Sequence, residues 1–278
     1  MQLRTFNQKQ ARLLLPQRGS SQNKTHGGKT LIIAGQRGYF GAAVLAATAA
    51  ARVGSGYTIL MTDQKHFPIQ KHPDFLILSK SKINQNWKLY HSIAVGPGLG
   101  INTKTEQIIH ALIKNKIENV ILDADALTVI ARKNIHPLPK SWLLTPHTGE
   151  LARLLKKQKI TAAETLKSLQ VAQKKYQCHI LLKGPITFII NSKKVIQVKS
   201  GNSALAKAGT GDVLTGIIAG LVAQGLSVME AAALGAFLHG FCSQIWVKGQ
   251  RDHLSLLASD LLLLIPQGLA TLRKKRRI

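Results

Sequence analysis

The chain has 278 residues, of which 45% are hydrophobic, and it carries a formal net charge of +26 with only twelve acidic residues. Length and apolar content predict one large α/β domain over residues 1–278, and no apolar stretch has the length and uniformity of a membrane span. Two cysteines are too few for a disulfide framework and the first residues lack a signal-peptide pattern, so we expect a soluble, cytoplasmic protein.

The predicted elements alternate along the chain. A polar lead-in over residues 1–23 precedes a buried strand at 30–34, an alanine-rich helix at 41–53 and a strand at 57–61. The same rhythm predicts strands at 92–95, 119–123, 142–145 and 179–183, with helices at 103–115, 148–155 and 162–176. Hairpin-like strands at 187–191 and 194–199 are followed by helices at 212–223, 228–248 and 259–272 and a basic tail at 273–278.

This order of apolar strands and helices predicts a three-layer αβα fold. A mostly parallel sheet covered on both faces accounts for strands that are apolar throughout. Ligands of such sheets bind beyond the carboxyl ends of the strands. We therefore expect the functional residues in the loops that follow the strands.

The strong positive charge admits two interpretations. A basic tail such as RKKRR at 273–277 is typical of proteins that bind nucleic acid. However, basic residues occur in every segment, aromatic residues make up only 5% of the chain, and no nucleic-acid-binding motif is present. A solvated basic surface, or attraction for an anionic substrate, is the interpretation that the composition favours.

The segment GNSALAKAGTGDVLTG at 201–216 carries the clearest chemical signal. Gly209 and Gly211 permit a tight turn whose N–H groups converge on an anion at the start of the following helix. Asp212 follows at the point where a substrate hydroxyl could approach. An aspartate that merely caps a helix is the simpler alternative for this position.

Further motifs accompany this turn in a fixed order. They are LIIAGQRGYFGAAVLAA, VGPGLG, ILDADAL, LLTPHTGELARLL, LLKGPITFI, EAAALGAFLHG and LLASDLL. Together with GTGD they resemble the ribokinase-like superfamily and, within it, the ADP/ATP-dependent NAD(P)H-hydrate dehydratase family, over residues 24–269. GTGD is shared by many kinases, whereas TPHTGE with GPGLG is specific to the dehydratases.

The resemblance implies a ribokinase-like fold and a repair reaction. ADP would phosphorylate the hydroxyl of damaged (6S)-NADHX or (6S)-NADPHX, and the loss of phosphate would regenerate NADH or NADPH together with AMP. It also implies Mg²⁺ as cofactor, a homotetramer, and a separate epimerase that interconverts the hydrate epimers.

The resemblance also assigns roles to individual residues. Asp212 would activate the hydroxyl while the backbone of Gly209, Thr210 and Gly211 holds the phosphoryl group. The substrate would meet Ala42, Gly98 and His147 as well as Asp212, and Glu150 would belong to the magnesium environment or cap its helix. The nucleotide would meet Lys183, Gly184, Pro185, Ile186, Thr187, Asn202 and Gly211.

Two rival functions follow from the same residues. A small-molecule kinase would use the GTGD turn and keep the phosphate on its product. A nucleic-acid-binding protein would use the basic surface and tail, and its function would survive the loss of Asp212.

Overall fold

Every strand of the described structure lies in a single mixed sheet. A computed structural model describes residues 2–17, 19, 23–62, 74–79 and 86–274. Within these ranges the strands are β1 (Gln2–Phe6), β2 (Lys29–Ile33), β3 (Tyr57–Thr62), β4 (Leu76–Ser79), β5 (Ser92–Val95), β6 (Val120–Leu122), β7 (Leu143–Leu144), β8 (His179–Leu182), β9 (Thr187–Ile190) and β10 (Lys194–Val198). The α-helices in the same ranges are α1 (Gln8–Leu14), α2 (Phe40–Arg52), α3 (Thr103–Lys114), α4 (Ala124–Lys133), α5 (Thr148–Leu154), α6 (Thr165–Tyr176), α7 (Thr210–Ala223), α8 (Val228–Lys248) and α9 (Ala258–Arg273).

The strand order contains a reversal that matters for binding. Across the sheet the order is β1-β10-β9-β8-β7-β6-β5-β2-β3-β4, and β9 alone runs antiparallel to its neighbours among the strands described. Chain order changes direction between β5 and β2, which pair in parallel. Loops that leave two such strands go to opposite faces of the sheet and open a crevice between them.

Two apolar layers sandwich the sheet. Ile32 belongs to one buried cluster with α2, α7, α8 and α9, whereas its neighbours Leu31 and Ile33 belong to the other cluster with α3 to α6. All three side chains have no exposed surface. Alternate residues of a strand point to opposite faces, so both faces of these strands must be apolar. The predicted αβα architecture and mostly parallel sheet are confirmed.

The helices α2 and α7 lie unusually close together. Ala46, Ala49 and Ala50 of α2 are fully buried, and α7 presents Gly216 and Gly220 to them. A Cβ added at Gly220 would lie 2.7 Å from the Ala50 carbonyl oxygen. Small residues on both helices therefore set the distance between the loop that starts α2 and the turn that starts α7.

The helix α8 is part of the core. By length and composition it could cross a membrane, but 78% of its apolar window is buried inside the protein. Cys242 of α8 and Cys178 are both free and buried. Burial raises the pKa of the Cys242 thiol to about 12, so this thiol is unreactive at neutral pH.

Four elements of the structure are not among those predicted from the sequence. The polar pattern of residues 1–23 predicts no regular element, yet β1 pairs in parallel with β10 and α1 follows it. The strand β4 and the helix α4 are further additions to the predicted elements. The basic tail is described only as far as Lys274, because residues 275–278 lie outside the described part of the chain.

Candidate active site

The residues predicted for catalysis and binding gather at one edge of the sheet. Gly98 lies in the loop after β5, Asp123 directly follows β6, and Lys183 directly follows β8. His147, after β7, forms an isolated parallel bridge with Lys183. The carboxyl ends of the parallel strands thus bring together residues that are far apart in the sequence, as expected for this class of sheet.

The turn before α7 has the geometry of an anion site. Gly209 has a φ of +88°, a left-handed conformation that favours glycine, and it is the N-cap of α7. The Thr210 hydroxyl donates to the carbonyl oxygens of Leu205 (2.8 Å) and Lys207 (2.9 Å), which closes the turn. The first N–H groups of an α-helix have no acceptor within the helix, so those of Gly211 and Asp212 are available to an anion.

Asp212 is a base suited to neutral pH. Burial raises the pKa of its carboxyl to about 7, and the negative charge of Asp123 acts in the same direction. The Lys183 ammonium opposes both effects, whereas Asp125 and Glu150 add to them more weakly. A carboxyl with this pKa can accept a proton from a hydroxyl near pH 7 and can also give one back.

Lys183 forms a partly buried ion pair beside this turn. Its Nζ lies 2.8 Å from Asp123 Oδ1 and 3.8 Å from Glu150 Oε2. Burial acts to lower the pKa of Lys183, but the charges of Asp123 and Glu150 outweigh it and raise the pKa. Burial likewise acts to raise the pKa of Asp123, which its contacts with Lys183, Thr215 and Thr145 hold below the ordinary value. Both groups are therefore charged at pH 7.

His147 and Glu150 form the start of α5. His147 Nδ1 accepts hydrogen bonds from the backbone of Gly149 (3.1 Å) and Glu150 (3.4 Å), and Glu150 Oε2 accepts from the His147 N–H (2.8 Å). These reciprocal bonds are a capping box. With Nδ1 as acceptor, the ring proton is on Nε2, and the side chain is 58% exposed at the mouth of the site.

The structure does not contain a ready-made metal centre in its described part. No group of three His, Cys, Asp or Glu residues there could hold a metal ion. Glu150 uses its carboxylate in the capping box, and burial raises its pKa. The simpler alternative for Glu150, a helix cap, is therefore present, while a contact with magnesium stays a prediction.

A cavity of about 690 Å³ opens beside the turn. This volume is in the range of small-molecule sites. Six of the residues predicted to meet the nucleotide line the cavity, namely Lys183, Gly184, Pro185, Thr187, Asn202 and Gly211. Ile186, the seventh, is 37% exposed and does not line it. Asn202 also caps the short 3-10 helix Ser203–Leu205 through a hydrogen bond from Ala204 N–H (3.0 Å).

A second, uncharged surface lies at the reversal between β2 and β5. Gly98 has a φ of +54°, and an added Cβ would lie 2.7 Å from Tyr39 Cβ and 3.2 Å from Ala42 Cβ. Asp125 Oδ2 accepts a hydrogen bond from Gly100 N–H (2.8 Å), which holds this loop in place. Ala42 and Gly98, predicted separately, are thus neighbours, and both are partly exposed.

Sequence reasoning did not single out two residues of the site. His239, in the motif EAAALGAFLHG, lines the cavity, and burial lowers its pKa to about 4, so the imidazole is neutral. Thr215 Oγ1 donates to Asp123 Oδ2 (2.7 Å). Their spacing from GTGD on α7 and α8 was visible in the sequence, but nothing there indicated which face they occupy.

This arrangement suits phosphoryl transfer to a hydroxyl. Gly211 and the partly buried Lys183 line one cavity, and Asp212, whose carboxyl has a pKa near neutrality, follows Gly211 at the same helix start. Preorganised dipoles and charges of this kind stabilise the charge that develops on a transferred phosphoryl group.

Comparison with known proteins gives a consistent result. A family model described as NAD(P)H-hydrate dehydratase matches residues 30–267. The ADP-dependent (S)-NAD(P)H-hydrate dehydratase of Listeria monocytogenes is 31% identical, over 84% of this chain and 86% of that protein. The bifunctional NAD(P)H-hydrate repair enzyme of Vibrio cholerae is 35% identical, over 90% of this chain and 51% of that enzyme. The chain spans about half the length of the bifunctional relatives it matches.

Solved structures agree with the sequence relatives. The ADP/ATP-dependent NAD(P)H-hydrate dehydratase of Bacillus subtilis, co-crystallised with ATP and Mg²⁺, superimposes with a TM-score of 0.88 at 29% identity, over 98% of this chain and 99% of that one. A hydroxyethylthiazole kinase of Pyrococcus horikoshii, 11% identical over 95% of this chain and 92% of that one, shares the fold with a TM-score of 0.63. The family model spans the motifs that build the site described above, and the chain belongs to the NAD(P)H-hydrate dehydratase family.

Proposed function

We propose that this protein catalyses the ADP-dependent dehydration of (6S)-NADHX and (6S)-NADPHX to NADH and NADPH, with release of AMP and phosphate. One observation carries the proposal. Asp212, with a pKa of about 7, lies in the first turn of α7, near the partly buried Lys183 ammonium and directly after Gly211, which lines the cavity. The Listeria and Bacillus relatives are named for this substrate and for an adenine nucleotide, which supports both parts of the proposal.

In the first step Asp212 accepts the proton of the hydrate hydroxyl. The hydroxyl oxygen then attacks the terminal phosphorus of ADP, a new P–O bond forms, and AMP leaves. Because the carboxyl has a pKa near 7, the proton transfer is close to balanced at neutral pH. A carboxylate with an ordinary pKa would be a much weaker base for this step.

The turn before α7 and Lys183 would hold the transferred group. The N–H groups of Gly211 and Asp212 face the phosphoryl oxygens, and the ammonium adds a fixed positive charge. The phosphorylated hydrate then loses phosphate, because the lone pair of the ring nitrogen helps to break the C–O bond. Loss of a proton from the neighbouring carbon restores the dihydropyridine ring.

The two surfaces of the site would divide the ligands between them. The cavity beside Gly184 and Asn202 would take the adenine nucleotide, and the crevice at Ala42 and Gly98 would take the dinucleotide hydrate. His147, exposed between β7 and α5, can donate from Nε2 to an oxygen of the hydrate.

Magnesium fits this site as a companion of the nucleotide. Mg²⁺ in phosphoryl-transfer enzymes is bound through substrate phosphates with only one or two carboxylates, and the described residues hold no all-protein cluster. When bound in this way, Mg²⁺ neutralises phosphate charge. Co-crystallisation of the Bacillus dehydratase with ATP and Mg²⁺ supports this part of the proposal.

The decisive experiment follows the products. Purified protein with (6S)-NADHX, ADP and Mg²⁺ should restore absorbance at 340 nm and release one phosphate and one AMP per NADH. ATP in place of ADP should give slower turnover. A stable phosphorylated hydrate would instead make the protein a kinase. This is the rival function, and a hydroxyethylthiazole kinase has the same fold.

Assembly and location belong to the same proposal. The family resemblance supports a homotetramer, and the low cysteine count supports a location in the cytoplasm. The bifunctional relatives carry additional sequence beyond the part matched here. A separate epimerase that supplies the (6S) hydrate would provide the partner activity. Light scattering would test the tetramer, and co-expression with such an enzyme would test the partnership.

A further inference from the structure

Asp123 occupies a helix start without capping it. It is the N-cap of α4, yet its side chain makes no capping hydrogen bond. The carboxylate is 1% exposed and is used elsewhere. Oδ1 accepts from Lys183 Nζ (2.8 Å), and Oδ2 accepts from Thr215 Oγ1 (2.7 Å). The Thr145 side chain, whose hydroxyl donates to the Leu122 carbonyl oxygen (3.2 Å), is a third neighbour that lowers the pKa of Asp123.

These three neighbours belong to three different elements around the site. Thr215 lies on α7, Thr145 follows β7, and Lys183 follows β8. Thr215 is four residues after Gly211, so the two residues lie on the same face of α7. A Cβ added at Gly211 would be 3.5 Å from Lys183 Nζ. The ammonium therefore lies against the helix start, held there from below by Asp123.

Lys183 is paired with carboxylates other than that of Asp212. Among the described residues, the carboxylates within 4.0 Å of Nζ belong to Asp123 and Glu150, and Asp212 is not one of them. An ammonium paired directly with Asp212 would stabilise its carboxylate and make it a weak base. Asp123 thus keeps the positive charge close to the phosphoryl position without committing Asp212 to a salt bridge.

We propose that Asp123 is a positioning residue of the phosphoryl-transfer site, which holds the Lys183 ammonium at the start of α7 and leaves Asp212 free to accept a proton. The inference rests on the proposed function, because it assigns the ammonium to the transferred phosphoryl group. It concerns a buried carboxylate that does not cap the helix it precedes.

The charges around Asp212 make the inference testable. Negative charge faces it from Asp123, Asp125 and Glu150, and positive charge from Lys183. Replacing Asp123 by Asn removes one negative charge and releases the ammonium towards Asp212. Both changes favour the ionised form of Asp212.

The first measurement is a ¹³C NMR titration of the aspartate carboxyl carbons without nucleotide or hydrate. Only seven aspartates are present, and the signal missing from Asp212→Asn identifies the residue. In Asp123→Asn we expect the Asp212 midpoint to fall by at least about one pH unit. In the double variant Asp123→Asn/Lys183→Met, which removes the released ammonium as well, the midpoint should rise again.

The second measurement is turnover as a function of pH. Asp123→Asn should lower kcat about 10- to 100-fold and raise the KM for ADP, and its acid limb should move to lower pH. Thr215→Val keeps every charge and removes one hydrogen bond, so it should lower kcat without moving the limb. This variant also serves if Asp123→Asn does not fold. Glu106→Gln, a carboxylate change on α3 outside the site, is the control for handling and folding.

The inference would be overturned if the Asp212 midpoint and the acid limb were the same in Asp123→Asn as in the parent protein. It would also be overturned if Thr215→Val had an unchanged kcat. The NMR titration does not depend on the reaction. A parent protein that binds no ADP or forms no NADH would therefore reject the proposed function, whereas normal turnover with no change in titration would reject only the role of Asp123.

Discussion

The cavity side of the site and the Ala42–Gly98 side differ in what they place next to a ligand. The cavity side presents buried charge, with Lys183 ion-paired to Asp123 and with Asp212 held at a pKa of about 7. The Ala42–Gly98 side presents small, partly exposed residues at the reversal of the sheet. Under the proposed function, the chemical step would use the charged groups of the cavity side, and binding of the hydrate would use the small residues of the Ala42–Gly98 side.

The largest effect expected from this contrast is the loss of the base. Asp212→Asn should lower kcat by about 10²- to 10⁴-fold, the usual contribution of a general base, and should change the KM for the hydrate much less. Steady-state kinetics with NADHX test the split. Equal losses in kcat and in hydrate affinity would mean that Asp212 contributes to binding of the hydrate and does not act only as a base.

Asp212→Asn should also change how the free energy of unfolding depends on pH. The folded carboxyl has a raised pKa, so between about pH 4 and 7 the folded state binds more protons than the unfolded state, and the free energy of unfolding falls as the pH rises through this window. An amide at this position has no such loss. In thermal melts, the Tm of the Asn variant relative to the Tm of the parent protein should therefore be higher at pH 8 than at pH 5.

The next effect concerns the pH dependence of turnover. Because Asp212 must be ionised to accept a proton, log kcat/KM should fall with a slope of one below about pH 7. ADP binding measured by calorimetry over the same range is the control for lost affinity. A flat profile from pH 5.5 to 8 would contradict the assignment of the base.

A smaller effect is expected on the uncharged side. Gly98→Ala places a Cβ 2.7 Å from Tyr39 Cβ at a φ of +54°, so the loop must shift and the KM for the hydrate should rise about tenfold with little change in kcat for bound substrate. Gly225→Ala is the matched control, since Gly225 also has a left-handed φ, of +96°, but open space around it. If both variants bind the hydrate equally well, backbone exposure at Gly98 is not what the ligand uses.

The smallest effect should fall on stability alone. Gly220→Ala places a Cβ 2.5 Å from Val53 Cγ1, where α7 meets α2, and should lower the free energy of unfolding by about 1–3 kcal/mol. Gly41→Ala, at the start of α2 with no atom within 4 Å of the added Cβ, should be neutral or slightly stabilising. Chemical denaturation measures both. A loss of kcat in Gly220→Ala would mean that the α2–α7 contact also sets the distance between the two sides of the site.

Much of the fold could be predicted, because the strands β2, β5 and β8 are short apolar runs followed by glycine or a motif, and helices such as α7 begin at glycine turns. β1 escapes prediction for a physical reason. Four of its five residues are exposed, so no apolar pattern marks it, and it exists as a strand only through its pairing with β10. α4 was not predicted because Asp123, directly before it, is a residue type that is common in turns.

The site was predictable to a different degree. Asp212, Lys183, His147 and Gly98 are visible in local motifs, and the structure places all of them at the carboxyl edge of the sheet. The ion pair between Asp123 and Lys183 was not visible, because it joins residues that neither periodicity nor a motif relates. The raised pKa of Asp212 depends on burial and on that pair, and therefore requires the folded protein.

The pairing of β1 has a consequence for how the protein is made. Gln2 lies opposite Lys194 in the sheet, so β1 can pair only after β10, which lies far along the chain from it, has been synthesised. Contacts between such distant segments form slowly, and an unpaired strand is exposed to wrong partners in the meantime. Its polar sequence, QLRTF, lowers that risk during the delay. We therefore expect β1 to be one of the last strands to join the sheet.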